Sequence, residues 1–106
     1  ELSTSLRWIA IMSDRVNCDL CASTGVHDGR SVVKEILAGA NAVQVASTLY
    51  RHGFGRIRQI LDEMEEWMKL KDFKVLDDFR GRMSQKRSSN PAAYERVQFM
   101  KYFSGK

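Results

Sequence analysis

Two short turns carry the residue types best suited to chemistry. Ser23-Thr24-Gly25 closes one apolar run, and Ala46-Ser47-Thr48 closes another. Both are built from small residues, which let a ligand approach the backbone closely. Successive backbone N–H groups with a helix N-terminus behind them favour an anion such as phosphate. The same residue types also build ordinary tight turns, so spacing alone leaves both readings open. Cys18 and Cys21 form a second candidate, Cys-Asp-Leu-Cys. A zinc site needs two further ligands at matching spacing, and His27 and His52 do not complete one, so no metal is expected. A redox pair opens a helix, whose N-terminus lowers the thiol pKa. This pair lies in a strand-like apolar run, where residues three apart point to opposite faces. Reduced, buried thiols in a cytoplasmic protein are therefore expected.

The third candidate is charge. The chain has 17 Lys and Arg against 13 Asp and Glu, a net charge of +4. The excess lies in the second half, where Arg80, Arg82, Lys86 and Arg87 form a stretch without an acid. Such a stretch, with aromatic residues downstream, would suit a small basic module for nucleic acid or a protein partner. Elsewhere basic and acidic groups alternate as on a solvated surface. That reading is preferred, and no nucleic acid is expected.

The elements that must position the two turns follow from periodicity. Cys18 to Ser23 and Ala42 to Ala46 are short apolar runs that read as buried strands. Between them Asp28 is placed to cap a helix whose stripe is Val32, Val33, Ile36 and Leu37, with Gly39 just past its end. Strand, helix and strand in this order give a right-handed unit with parallel strands. Both turns then fall at carboxyl ends of adjacent parallel strands, where α/β proteins place ligands. Upstream, Ser3-Thr4-Ser5 suits an N-cap, but Leu6 to Met12 reads equally as helix or strand. Downstream, Ile57, Ile60, Leu61, Met64, Trp67 and Met68 form a helical stripe from Phe54 to about Lys71, with Met64, Trp67 and Met68 as core. A shorter helix is expected over Asp77 to Met83. A polar loop follows, and Asn90-Pro91 opens a last helix to about Phe103.

Length and composition bound the answer. The chain has 106 residues, 43% hydrophobic and 28% charged, which is ordinary for a globular fold and excludes compositional disorder. No apolar run approaches the ~20 residues of a membrane helix, and no signal peptide is visible at Glu1-Leu2-Ser3-Thr4. Two strands are few against the usual sheet of about five or six. The chain does not begin with methionine, so a piece of a longer protein is expected.

The wording of the two strands adds a resemblance. Asp19-Leu20-Cys21-Ala22-Ser23-Thr24-Gly25-Val26-His27-Asp28-Gly29, followed by Leu37-Ala38-Gly39-Ala40-Asn41-Ala42-Val43-Gln44-Val45-Ala46-Ser47-Thr48-Leu49-Tyr50, resembles the last two strands of the dihydroorotate dehydrogenase barrel. Phe79-Arg80-Gly81-Arg82-Met83-Ser84 resembles that family's closing helix. The likeness runs from about Leu6 to Ser84. It implies an α/β fold, the C-terminal part of a (β/α)8 barrel with about two parallel strands and four to five helices. Leu6 to Val16 would then be a helix. Residues 1–84 would belong to the barrel and 85–106 to a C-terminal extension.

The resemblance further implies that the phosphate of flavin mononucleotide (FMN) rests on backbone N–H groups of Thr24, Gly25, Ala46 and Ser47. Two positions depart from the family. Thr24 stands where the first glycine of a Gly-Gly turn is usual, and Ala46 where a glycine precedes the hydroxyl residue. Each adds a Cβ, and neither removes a backbone donor. The family's catalytic base, its orotate-binding Asn residues and its flavin-contacting Lys have no matching position, and Cys18 and Cys21 are not taken for the base. A full barrel takes about 250 residues. The implied function is thus a cofactor-binding segment of a dihydroorotate-oxidising parent that takes a small-molecule substrate. The segment alone is expected to be inactive and without bound FMN. Exposed strand edges and an open apolar face predict a homo-oligomer.

Overall fold

The computed structural model describes residues 2–85. They fold as a helix-rich α/β unit in the order α1 (Leu2–Met12), β1 (Cys21–Ala22), α2 (Gly29–Ala38), β2 (Ala42–Val43), α3 (Ser47–His52) and α4 (Gly55–Leu70). A 3-10 turn, Leu76–Asp78, follows. β1 and β2 pair in parallel, with Cys21 opposite Ala42 and Ala22 opposite Val43. The terminal helix expected from Asn90 lies outside the described residues, as do Lys86 and Arg87.

The centre of the unit is α2, and both its ends are set locally. At the start Asp28 is extended, and its carboxylate accepts from the Ser31 amide at 2.8 Å and the Ser31 hydroxyl at 2.8 Å. That satisfies a donor that a helix start otherwise leaves open. At the end Gly39 takes φ 127°, where an L side chain is strained. Its amide bonds to the Ile36 carbonyl at 3.0 Å, and the Ala40 amide bonds to Glu35 at 3.0 Å. This pair of bonds is a Schellman stop. Val32, Val33 and Ile36 of α2 meet Ile60 and Met64 of α4 in the core, closed by Val26 and Phe79. Trp67, Phe73 and Phe79 stack beside it, with ring centroids 5.0 to 5.7 Å apart.

Several expectations are corrected. The Leu2–Met12 segment is a helix, and it starts early enough that Ser3-Thr4-Ser5 lie within its first turn instead of capping it. The strands are two residues each, shorter than the runs Cys18 to Ser23 and Ala42 to Ala46. Their ladder reaches slightly further, through the Asn41 and Ala42 amides to the Leu20 carbonyl and the Gln44 amide to Ala22. Of the α4 stripe, Ile60 and Met64 are buried, but Ile57 is 42% and Leu61 47% exposed. The helix expected over Asp77 to Met83 does not form. Gly81 turns to φ 77°, and the Gly81, Met83 and Gln85 amides bond to the carbonyls of Ile36, Leu37 and Ala10. These are last-turn carbonyls of α2 and α1, so the segment serves as their cap and cannot continue its own helix.

Cys18 and Cys21 are also corrected: both thiols are free, and both are exposed. Ala22 on β1 is 1% exposed, while its neighbour Cys21 points to the opposite face. α1 and α2 cover one face of the sheet, and nothing among the described residues covers the other.

Candidate functional site

The two turns lie side by side because the strands they follow are paired. The first turn runs Ser23-Thr24-Gly25, with Thr24 and Gly25 both at φ 72°. Gly25 needs its missing side chain twice over: an added Cβ would also come within 2.6 Å of the Leu2 amide nitrogen. Thr24 holds the same left-handed conformation with a β-branched side chain, a strain of roughly 1–3 kcal/mol. The backbone therefore keeps the shape of a two-glycine turn although one glycine is absent.

The second turn leads into α3. Ala46 occupies the N-cap position with φ −142° and ψ −66°. Its carbonyl accepts from the Leu49 amide at 3.0 Å and the Tyr50 amide at 3.3 Å, closing the first turn of α3. No side chain caps that turn. The amides at the start of α3 thus carry the partial positive charge of a helix N-terminus without an internal acceptor. Thr24, Ala46 and Ser47 are exposed, and Gly25 is half-buried.

A single carbonyl joins the two turns. The His27 oxygen, two residues beyond Gly25, accepts from Thr48 Oγ1 at 3.3 Å. It also accepts from Arg56 Nε at 3.2 Å and Arg56 Nη2 at 2.8 Å. Thr48 is 1% exposed and follows Ser47 directly, so the bond ties the loop after β1 to the helix after β2. Arg56, at the start of α4, is steadied by Gln59 Oε1 at 2.9 Å. The α2 end is pinned to α4 as well, where the Gly29 amide donates to Glu63 Oε1 at 3.0 Å. The Asp28 carboxyl is held below its ordinary range, chiefly by the Ser31 amide and against some burial. It stays ionised beside Arg56.

All four expected residues, Thr24, Gly25, Ala46 and Ser47, fall on these two turns. Thr48 lies on the second of the turns the sequence singles out, but its bond to His27, and the part played by Arg56, carry no mark in the sequence. Ser47-Thr48 reads as the end of a strand and Arg56 as part of the polar face of α4, and neither has a spacing that marks it. The cysteines take no part. Among the described residues no group of His, Cys, Asp and Glu is arranged to hold a metal. The basic stretch is partly committed to the fold. Arg80 pairs with Asp77 and donates to the Ala40 carbonyl at 3.1 Å, and the Arg82 guanidinium lies 4.9 Å from the centre of the Phe73 ring. No helix among the described residues is long and apolar enough to cross a membrane.

Comparison with protein-family models gives no match. Individual curated proteins do match. The putative dihydroorotate dehydrogenase A (fumarate) of Streptococcus equi subsp. equi is 32% identical over 85 residues, 78% of this chain and 27% of that protein. The dihydroorotate dehydrogenase (fumarate) of Trypanosoma cruzi is 41% identical over 59 residues, 56% of this chain and 19% of that protein. The chloroplastic dihydropyrimidine dehydrogenase (NADP(+)) of Arabidopsis thaliana is 34% identical over 61 residues, 58% of this chain and 14% of that protein. The chain thus spans about a quarter or less of the length of these relatives. Over the matched segment it is similar to dihydroorotate dehydrogenases.

Proposed function

We propose that the chain is a segment of a flavin-dependent oxidoreductase of the dihydroorotate dehydrogenase type, and that it supplies the phosphate end of the FMN site. In this reading residues 1–84 are the last part of a (β/α)8 barrel, and 85–106 extend it. The parent oxidises dihydroorotate to orotate in pyrimidine biosynthesis, in the cytoplasm, where free thiols stay reduced. Bound flavin supplies the hydride acceptor. The residues of this chain bind and orient. The amides of Thr24, Gly25, Ala46 and Ser47 donate to phosphate oxygens, and no side chain here is assigned a proton.

One observation carries the reading: two turns side by side after paired parallel strands, the first left-handed at Thr24 and Gly25 and the second opening an uncapped helix. Barrels place phosphate at such a pair of loops. The test uses the parent protein that contains this segment. It is expected to bind FMN more tightly than riboflavin, which lacks the phosphate. Ser47→Asp sets a carboxylate against that phosphate and is expected to cost at least about tenfold in FMN affinity. A parent that takes up no FMN, or binds the two flavins equally, overturns the reading. The segment alone, given FMN and dihydroorotate, is expected to show no turnover above background.

A further inference from the structure

We infer that Arg56 and Thr48 are the positioning residues of the anion site, acting through the His27 carbonyl to hold the two turns in register. The inference rests on the functional reading above and adds residues to it. Three donors converge on this one oxygen: Arg56 Nε, Arg56 Nη2 and Thr48 Oγ1, at 3.2, 2.8 and 3.3 Å. A carbonyl in an exposed loop is ordinarily satisfied by water. Here it is held by a guanidinium fork from α4 and a buried hydroxyl from α3.

The turn has a specific need for such a tether. Thr24 stands at φ 72° with a β-branched side chain, a conformation that persists only when its surroundings over-determine it. The loop from Thr24 to Asp28 is fixed downstream by the α2 cap, where the Ser31 amide and hydroxyl bond to Asp28. The His27 carbonyl fixes it laterally, against the helix that carries Ser47. Without the tether the loop relaxes at Thr24, and the amides of Thr24 and Gly25 lose their alignment with those of Ala46 and Ser47.

The experiment measures FMN and riboflavin affinities of the parent protein for four variants, each checked for its fold by circular dichroism. Arg56→Ala is expected to weaken FMN binding about tenfold and leave riboflavin within about twofold, since only the phosphate feels the turns. Thr48→Val removes a hydroxyl at nearly constant volume and is expected to act in the same sense, about threefold. Arg56→Lys keeps the charge but loses the fork, so it recovers only part of the loss. Thr24→Gly in the Arg56→Ala background relieves the strain directly and is expected to recover most of it.

Equal loss of FMN and riboflavin affinity marks a merely structural role and overturns the inference. Full recovery by Arg56→Lys marks simple charge attraction and overturns it too. A wild-type parent that binds FMN while all variants match it overturns the tether and leaves the functional reading standing. A wild-type parent that binds no FMN removes both. Should Arg56→Ala fail to fold, Thr48→Val and Arg56→Lys decide the matter.

Discussion

At the scale of single residues, strain and burial sit at different places, and each has its own test. Thr24 holds a left-handed backbone that glycine would take freely. Thr24→Gly removes about 1–2 kcal/mol of strain and adds somewhat less back through the flexibility of the unfolded chain. The expected outcome is an unchanged or slightly raised Tm, read by thermal denaturation, whereas Thr24→Ala gains nothing because alanine meets the same steric limit. Glu35 is the other unusual residue. It is 0% exposed, accepts from the Ser5 hydroxyl at 2.7 Å through Oε2, and leaves Oε1 without a partner among the described residues. Burial raises its carboxyl above the ordinary value of 4.5, with the Ser5 bond opposing. The folded state therefore keeps a proton that the unfolded chain releases. Stability from this group is fully present below pH 4.5 and falls as pH rises through the folded value. Glu35→Gln is expected to abolish that fall and to stabilise the fold at pH 8 by on the order of 1 kcal/mol. Urea denaturation at pH 5 and pH 8 reads the difference, and a wild-type slope of the opposite sign would contradict it.

At the scale of elements, what was legible in the sequence depended on whether its cause was local. Both ends of α2 could be read because Asp28 and Gly39 act on amides and carbonyls within a few residues of themselves. The cap makes its own prediction. The Asp28 carboxyl is lowered from 3.8, mainly by the Ser31 amide, so its contribution is present above pH 3.8 and fades as pH falls below it. Asp28→Ala is expected to cost about 1 kcal/mol at pH 7 and less at pH 2.5, while Asp28→Asn retains most of the capping at both. The body of α4 was legible too, because its stripe is long. Three features were not. α3 has six residues and no stripe, so Ser47-Thr48 looked like the end of a strand. The stretch from Asp77 to Met83 has helical composition, but its amides go to the ends of α2 and α1, and no local pattern announces a distant acceptor. The tether at His27 was invisible for the same reason: a surface arginine at the start of a helix carries no mark of the carbonyl it will find. The two turns themselves could be placed because small residues after paired apolar runs are a local signal.

At the scale of the whole molecule, one face of the unit is dressed and the other is bare among the described residues. α1 and α2 pack on one side of the two strands. On the other side Cys21 and Ala42 are exposed, and β1 and β2 each have a single partner. Beside β2 a groove of about 260 Å³ opens between Val43, Val45, Ile57, Leu61 and Leu76, with Ile57 and Leu61 substantially exposed at its rim. Tyr50 and Phe54 are 93% and 81% exposed as well. Large contiguous apolar patches are rare on soluble monomers, and open strand edges template pairing with another chain. On the proposed reading, the rest of a parent barrel would cover these surfaces. In the segment alone a second copy can do so. The isolated chain is therefore expected to run as a homo-oligomer in light scattering at micromolar concentration. Ile57→Lys with Leu61→Glu places opposite charges on neighbouring turns of α4 at the rim of the groove, without touching the buried Ile60 and Met64. That pair is expected to shift the mass toward the monomer while the helical signal in circular dichroism is retained. Wild-type chain that is monomeric at this concentration would show that the bare face tolerates water, and the argument from the missing strands would then fail for this molecule.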